Sequence, residues 1–216
     1  MKKLLIFPLL LLFLVGCTAP DSVSGATELR YREGEVREYK GARLDPAIGP
    51  RDNSIAGVQH VDIAEYELKV DGLVDQPVTL KYNDVKKLTP YEQKVTLHCV
   101  EGWTATVLWK GSLLEDIMAL AGVKDTANTV IFHAVDGYTT SLPLDTVTKR
   151  GLILAYDANG LPLPPEMGYP FIVVAVDKLG YKWCRWVDKI TLSDDPNYRG
   201  YWESNGYDNG AEVLEK

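Results

Sequence analysis

The grouping of apolar residues limits the fold of this chain most. Residues 129–135 and 171–176 are short runs dense in β-branched and aromatic side chains, as buried strands are. Tyr66, Leu68 and Val70 alternate with Glu67 and Lys69, the period of a half-buried strand, and Asp71-Gly72 then turns the chain. Residues 78–81, 95–99 and 105–109 are further short strands. The best helical period lies at residues 113–121, where Leu114, Ile117, Met118 and Ala121 form one apolar stripe. Ser112 with Glu115 makes a capping box, and Gly122 ends the helix. Residues 83–88 and 145–150 read as short helices. Strands outnumber helices and do not alternate regularly with them. A doubly wound parallel sheet is therefore excluded, and an α+β or mostly-β fold is expected.

The N-terminus stands apart from this pattern. Lys2 and Lys3 precede an apolar run, residues 4–15, broken once by Pro8. It is shorter than the roughly 20 residues a spanning helix needs, but it suits an export signal. Leu14-Val15-Gly16-Cys17 resembles the lipobox of bacterial lipoproteins. It implies a signal peptide over residues 1–16, lipidation of Cys17, and attachment to the extracytoplasmic membrane face by acyl chains. The alternative is an ordinary signal peptide with an incidental cysteine. Cleavage would remove two lysines and no acid, so the formal charge moves from −7 to −9. Such a balance argues against a nucleic-acid partner. Residues 17–45, with scattered glycines, mixed charge and no apolar period, read as a solvated tether; residues 46–216 read as the folded domain.

Several chemistries lack their motifs. There is no P-loop, no Gly-rich dinucleotide fingerprint and no Gly-x-Ser-x-Gly elbow. His60, His98 and His133 have no metal-ligand spacing. With three cysteines there is no disulfide framework. Cys99 stands at the end of an apolar strand before Glu101-Gly102. Its neighbours alone favour a buried small hydrophobe, with a presented reactive group as the other reading.

His98-Cys99-Val100-Glu101-Gly102-Trp103 followed by Trp109-Lys110-Gly111-Ser112-Leu113-Leu114 resembles the signature of the sulfite oxidase-type molybdopterin-binding domain. Asp136-Gly137-Tyr138-Thr139-Thr140-Ser141-Leu142-Pro143 resembles the loop near that family's active site. Leu163-Pro164-Pro165-Glu166-Met167-Gly168-Tyr169-Pro170 resembles its second cofactor-side loop, and Gly180-Tyr181-Lys182-Trp183-Cys184-Arg185-Trp186-Val187 its pterin-phosphate loop. Tyr198-Arg199-Gly200-Tyr201-Trp202-Glu203 with Gly206-Tyr207 matches the usual tail. The blocks span about residues 50–208.

The resemblance implies an α+β fold of mixed β-sheets with short flanking helices, a Mo-molybdopterin cofactor, and two-electron oxygen-atom transfer. Cys99 matches the molybdenum ligand, a role that suits a soft thiolate. Asn53 matches an asparagine at the pterin site. Lys182 and Arg185, with the backbone at Trp183 and Cys184, match the loop that holds the pterin and its phosphate; the alternative is a solvated basic pair. Tyr138 and Thr140 are implied beside the substrate, though Tyr138 could simply be a packed aromatic. His98 either hydrogen-bonds beside the cofactor or only closes the strand. The chain shows no haem motif and no C-terminal dimerisation domain, so a monomer served by a separate electron-transfer partner is expected.

Four features depart from the family pattern. Met167 and Ile172 stand where relatives carry polar cofactor contacts, and Ala134 where some carry a hydroxyl. The export signal looks like that of the general route, which threads unfolded chains. These departures support a second reading, a cofactor-free binding lipoprotein of the same fold, in which Cys99 and Cys184 could pair outside the cytoplasm.

Overall fold

The computed structural model describes residues 25–49 and 53–213. Helix α1 (Gly25–Gly34) leads into a hairpin of β1 (Glu38–Tyr39) and β2 (Ala42–Arg43). Then come β3 (Leu68–Gly72), β4 (Val78–Leu80), α2 (Tyr82–Lys86), β5 (Pro90–His98), β6 (Thr104–Leu113) and α3 (Leu114–Ala119). They are followed by β7 (Thr129–Ala134), β8 (Thr139–Pro143), α4 (Leu144–Lys149), β9 (Ile153–Ala158) and β10 (Leu161–Pro162). A 3₁₀ turn (Pro165–Met167), β11 (Ile172–Val174), a second 3₁₀ turn (Gly180–Lys182), β12 (Val187–Ser193) and α5 (Tyr201–Ser204) complete the order.

Two five-stranded sheets carry the domain. One runs β4-β3-β12-β7-β8 and is mixed, because β12 pairs parallel to β3 and antiparallel to β7. The other runs β10-β9-β6-β5, with β11 also on β9, and is antiparallel throughout. One contiguous apolar cluster draws on both sheets, including Val70 and Phe132 from the first and Val107, Trp109 and Leu154 from the second. The expected α+β class with mixed sheets and short helices holds.

Local expectations fared unevenly. Leu114, Ile117, Met118 and Ala121 are all buried, as the stripe predicts. The capping box does not form. Ser112 is the penultimate residue of β6, and its hydroxyl donates to Val85 O at 2.9 Å. Pairing with β9 carries the strand through the residues that local pattern assigned to a helix start.

The stretch read as tether is docked from Tyr31 onward. Tyr31 is 2% exposed, and its hydroxyl donates to Pro162 O. The Glu35 carboxylate accepts from Ala47 N at 2.9 Å and from Asn159 Nδ2 at 2.8 Å. Asp45 accepts from Thr106 N through its side chain at 2.9 Å, and its own amide donates to Thr106 O at 2.8 Å. These are single aromatic and polar anchors with no period, so composition hid them. Cys17 and the signal segment lie outside the described residues. No helix among the described residues is long and apolar enough to cross a membrane.

Candidate functional site

Strands β5 and β6 are joined by a tight turn in which Cys99 N donates to Trp103 O at 2.9 Å and Gly102 N to Cys99 O at 3.0 Å. The turn presents Cys99, half-buried, to a cavity of about 390 Å³. Asn53 Nδ2 lies 3.6 Å from Cys99 Sγ. The cavity's other walls come from five places: Gly49 with residues 53–55, the turn between β7 and β8, the 165–172 segment, residues 180–186, and the chain around α5. Its lining is strongly aromatic, with Trp103, Tyr138, Tyr181, Trp183, Trp186, Trp202 and Tyr207.

Arg185 is the one cation among the described lining residues, and Glu101 and Asp136 are the carboxylates. The Arg185 guanidinium lies 4.6 Å over the Trp186 ring, and its Nη1 donates to Glu166 O at 2.8 Å. Trp186 has φ +50°, which costs a bulky residue about 1–2 kcal/mol. It is held there by Trp186 N donating to Gly168 O at 3.2 Å and its indole N–H donating to Pro165 O at 2.8 Å. Gly168 has φ +99°, and a Cβ there would stand 2.7 Å from Arg185 Cβ. The left-handed backbone at Trp186 and the close approach that Gly168 allows thus place the guanidinium.

The other residues singled out from sequence separate into two groups. Tyr138 lines the cavity, donates to Tyr181 O, and is pushed well above the usual phenol range by burial, so it is a fixed, protonated hydroxyl. Trp183 also lines it, with its indole N–H on Lys178 O at 3.1 Å and its ring 5.5 Å from Trp109. His98 does not line the cavity, and its backbone bridges to Leu179.

Lys182 and Thr140 are turned inward, and the roles expected of them at the cavity are corrected here. Lys182 is 0% exposed, and its ammonium is taken up by Glu203, Ser141 O and Asn209 Oδ1. The Thr140 hydroxyl donates to Glu203 Oε1 at 2.6 Å. Cys184 is fully buried, with burial pushing its thiol well up. It does not line the cavity, and Cys99 and Cys184 are both free thiols, so the possible disulfide between them is absent. Met167 and Ile172 do line the cavity and offer it no donor.

Residues 55–202 match the model of the oxidoreductase molybdopterin binding domain. The chain belongs to this family. It is 42% identical over 147 residues to the uncharacterized oxidoreductase YuiH of Bacillus subtilis, covering 68% of this chain and 74% of that one. It is 34% identical over 152 residues to a protein of Azospira oryzae named "Putative protein-methionine-sulfoxide reductase subunit YedZ1", covering 69% of this chain and 57% of that one. Mitochondrial sulfite oxidase of Rattus norvegicus is 27% identical over 180 residues, covering 69% of this chain but only 33% of the relative. The sulfane dehydrogenase SoxCD of Paracoccus pantotrophus superposes with a TM-score of 0.62 at 23% identity, over 64% of this chain and 41% of that one; it supports the fold.

The cavity fits the group its family is named for. A thiol suits a soft metal, Arg185 suits a phosphate, and the flat aromatic walls suit a pterin. The volume is within the range of cofactor sites, about 300–1,000 Å³. Asn53, Cys99, Trp183 and Arg185 are the residues of this chain that would hold it. Sequence reasoning quoted Trp103, Trp186, Trp202 and Tyr207 within the motif blocks but gave none of them a role at the site. The density of Trp and Tyr from residue 181 to 207 is the signal that could have found the last three.

Proposed function

We propose that this chain is a Mo-molybdopterin oxidoreductase that moves an oxygen atom to or from a neutral sulfur centre. We further propose that it acts from the extracytoplasmic face of the membrane, anchored through Cys17. The observation that carries the reading is Cys99, presented at a strand end into an aromatic cavity beside the Asn53 amide and Arg185. When bound, the cofactor supplies two-electron oxygen-atom transfer. Cys99 would ligate the metal, and the Asn53 amide would donate to its sulfur, holding charge on the thiolate. Arg185 would hold the anionic end of the pterin, its direction set by Glu166 O and Trp186. Tyr138 keeps its proton and fixes one wall against Tyr181 O.

Charge guides the choice of substrate. Glu101 and Asp136 face the cavity, and Arg185, the one cation among its described lining residues, is the group assigned to the anionic end of the pterin. That disfavours a small oxoanion such as sulfite and favours a neutral sulfoxide or thioether with apolar substituents for the aromatic walls. Electrons would pass to a separate partner. One observation favours the cofactor-free reading: Met167 and Ile172 line the cavity without a hydrogen-bonding group.

Molybdenum analysis with pterin fluorescence, on protein purified from its native membrane, decides between the readings. We expect about one metal per chain in the wild type and none in Cys99→Ala. Wild-type protein without metal or pterin overturns the enzyme reading. Cys17→Ala should release the protein from the membrane fraction; retention there overturns the anchor.

A further inference from the structure

Two segments share one wall of the Cys99 cavity. Tyr181 and Trp183 come from residues 177–183, and Trp202 and Tyr207 from the tail, residues 198–213. Two buried lysines, four residues apart, join the segments. The Lys182 ammonium donates to three acceptors: Ser141 O at 3.0 Å, the Glu203 carboxylate, and Asn209 Oδ1 at 3.0 Å. Lys178, 4% exposed, donates to Gly210 O at 2.8 Å and to the Glu212 carboxylate. Backbone bonds run alongside, from Leu179 N to Ala211 O at 2.9 Å and from Val213 N to Asp177 O at 3.1 Å.

The tail is also seated on β8. A Cβ on Gly200 would stand 2.1 Å from Thr139 O, so only glycine allows this approach. Tyr207 then reaches its place, its ring 5.2 Å from those of both Tyr181 and Trp202. The family model ends at residue 202, so Asn209 and Glu212 lie beyond both it and the tail block that the sequence resemblance covers.

We propose that Lys178 and Lys182 are positioning residues: they strap the tail down as the cavity wall and so set solvent access to Cys99. Neither ammonium faces the cavity, so neither serves as a phosphate ligand. The strap acts through Trp202 and Tyr207. The inference goes beyond the catalytic reading and holds whatever fills the cavity.

The test uses the full-length chain produced without molybdate, with alkylation by iodoacetamide followed at each cysteine by peptide mass mapping. Cys184 is the internal control, since it is fully buried and not part of the cavity lining. Lys182→Met/Glu203→Leu removes both buried charges together. Lys178→Met is milder, because Glu212 is exposed and can be solvated. Gly200→Ala lifts the tail sterically and leaves both lysines in place. In each variant the alkylation rate at Cys99 should rise about tenfold or more through local opening, while Cys184 stays at its slow wild-type rate. Tyr207→Ala should reproduce the effect with the strap intact.

An unchanged Cys99 rate in folded Lys178→Met overturns the proposal. A parallel rise at Cys99 and Cys184 in that variant does so too, because it reports general loosening. Metal content tests the enzyme reading separately, so each can fail without the other.

Discussion

Lys182→Met separates two accounts of this residue by their size. In the structure the ammonium sits in a fully buried site, and Glu203 Oε1 receives both it and the Thr140 hydroxyl. Glu203 Oε2 is buried and has no partner among the described residues. Methionine fills a similar volume but leaves the carboxylate uncompensated. Breaking a buried pair from one side costs about 3–5 kcal/mol, and a domain of this size loses about 2–4 °C per kcal/mol. A fall in Tm of roughly 10 °C is therefore expected, with a matching drop in the urea midpoint and an unchanged slope.

Adding Glu203→Leu removes the stranded charge. Most of the loss should return, leaving a deficit of about 1 kcal/mol, because a buried pair is worth little more than an apolar pair of like volume. The assay is a double-mutant cycle by urea denaturation on cofactor-free protein. If Lys182→Met shifts stability by less than about 0.5 kcal/mol, as a solvated surface lysine does, the reasoning is refuted. The pterin-phosphate role implied by family resemblance then regains its footing.

Burial lowers the His133 pKa from 6.5 to about 4, with Lys189 adding to the effect. The folded state thus disfavours the proton, and stability that is full above pH 6.5 is lost as pH falls toward 4. Because the ring is only half-buried, the loss should be about 1–2 kcal/mol; urea midpoints at pH 7 and 4.5 for wild type and His133→Gln measure it, and an equal fall in midpoint for the two proteins refutes it. Gly168→Ala adds a Cβ at φ +99° and 2.7 Å from Arg185 Cβ, so about 1–3 kcal/mol should be lost in denaturation together with cofactor retention. Arg185→Met should reduce pterin retention at least tenfold while cofactor-free stability moves by about 1 kcal/mol, since one charge-assisted contact to the pterin phosphate is lost. Equal retention would remove Arg185 from the cofactor's contacts.

The strands that define the two sheets were legible where burial is one-sided or complete. The alternation at Tyr66, Leu68 and Val70 and the run over residues 129–135 both became strands. Strand β9 and the extension of β6 through Ser112 were not, because pairing with a distant strand decides them. The polar group positions divided the same way. Cys99 and Arg185 stood out in motifs and do line the cavity, but Lys182 and Thr140 stood in the same motifs and turn inward.

Sequence by itself determined the family, the strand-rich class and the turn that presents Cys99, because each depends on residues close together in the chain. Tertiary structure alone decided which way a motif side chain faces. Lys182 and Glu203 are 21 residues apart, and their burial against Ser141 and Asn209 takes Lys182 out of the cavity. Tyr31 and Glu35, in a segment that reads as linker, find their partners at Pro162 and Asn159, more than 120 residues away. A buried charge or hydroxyl must meet its partner wherever the fold brings one, and local pattern carries no record of that meeting.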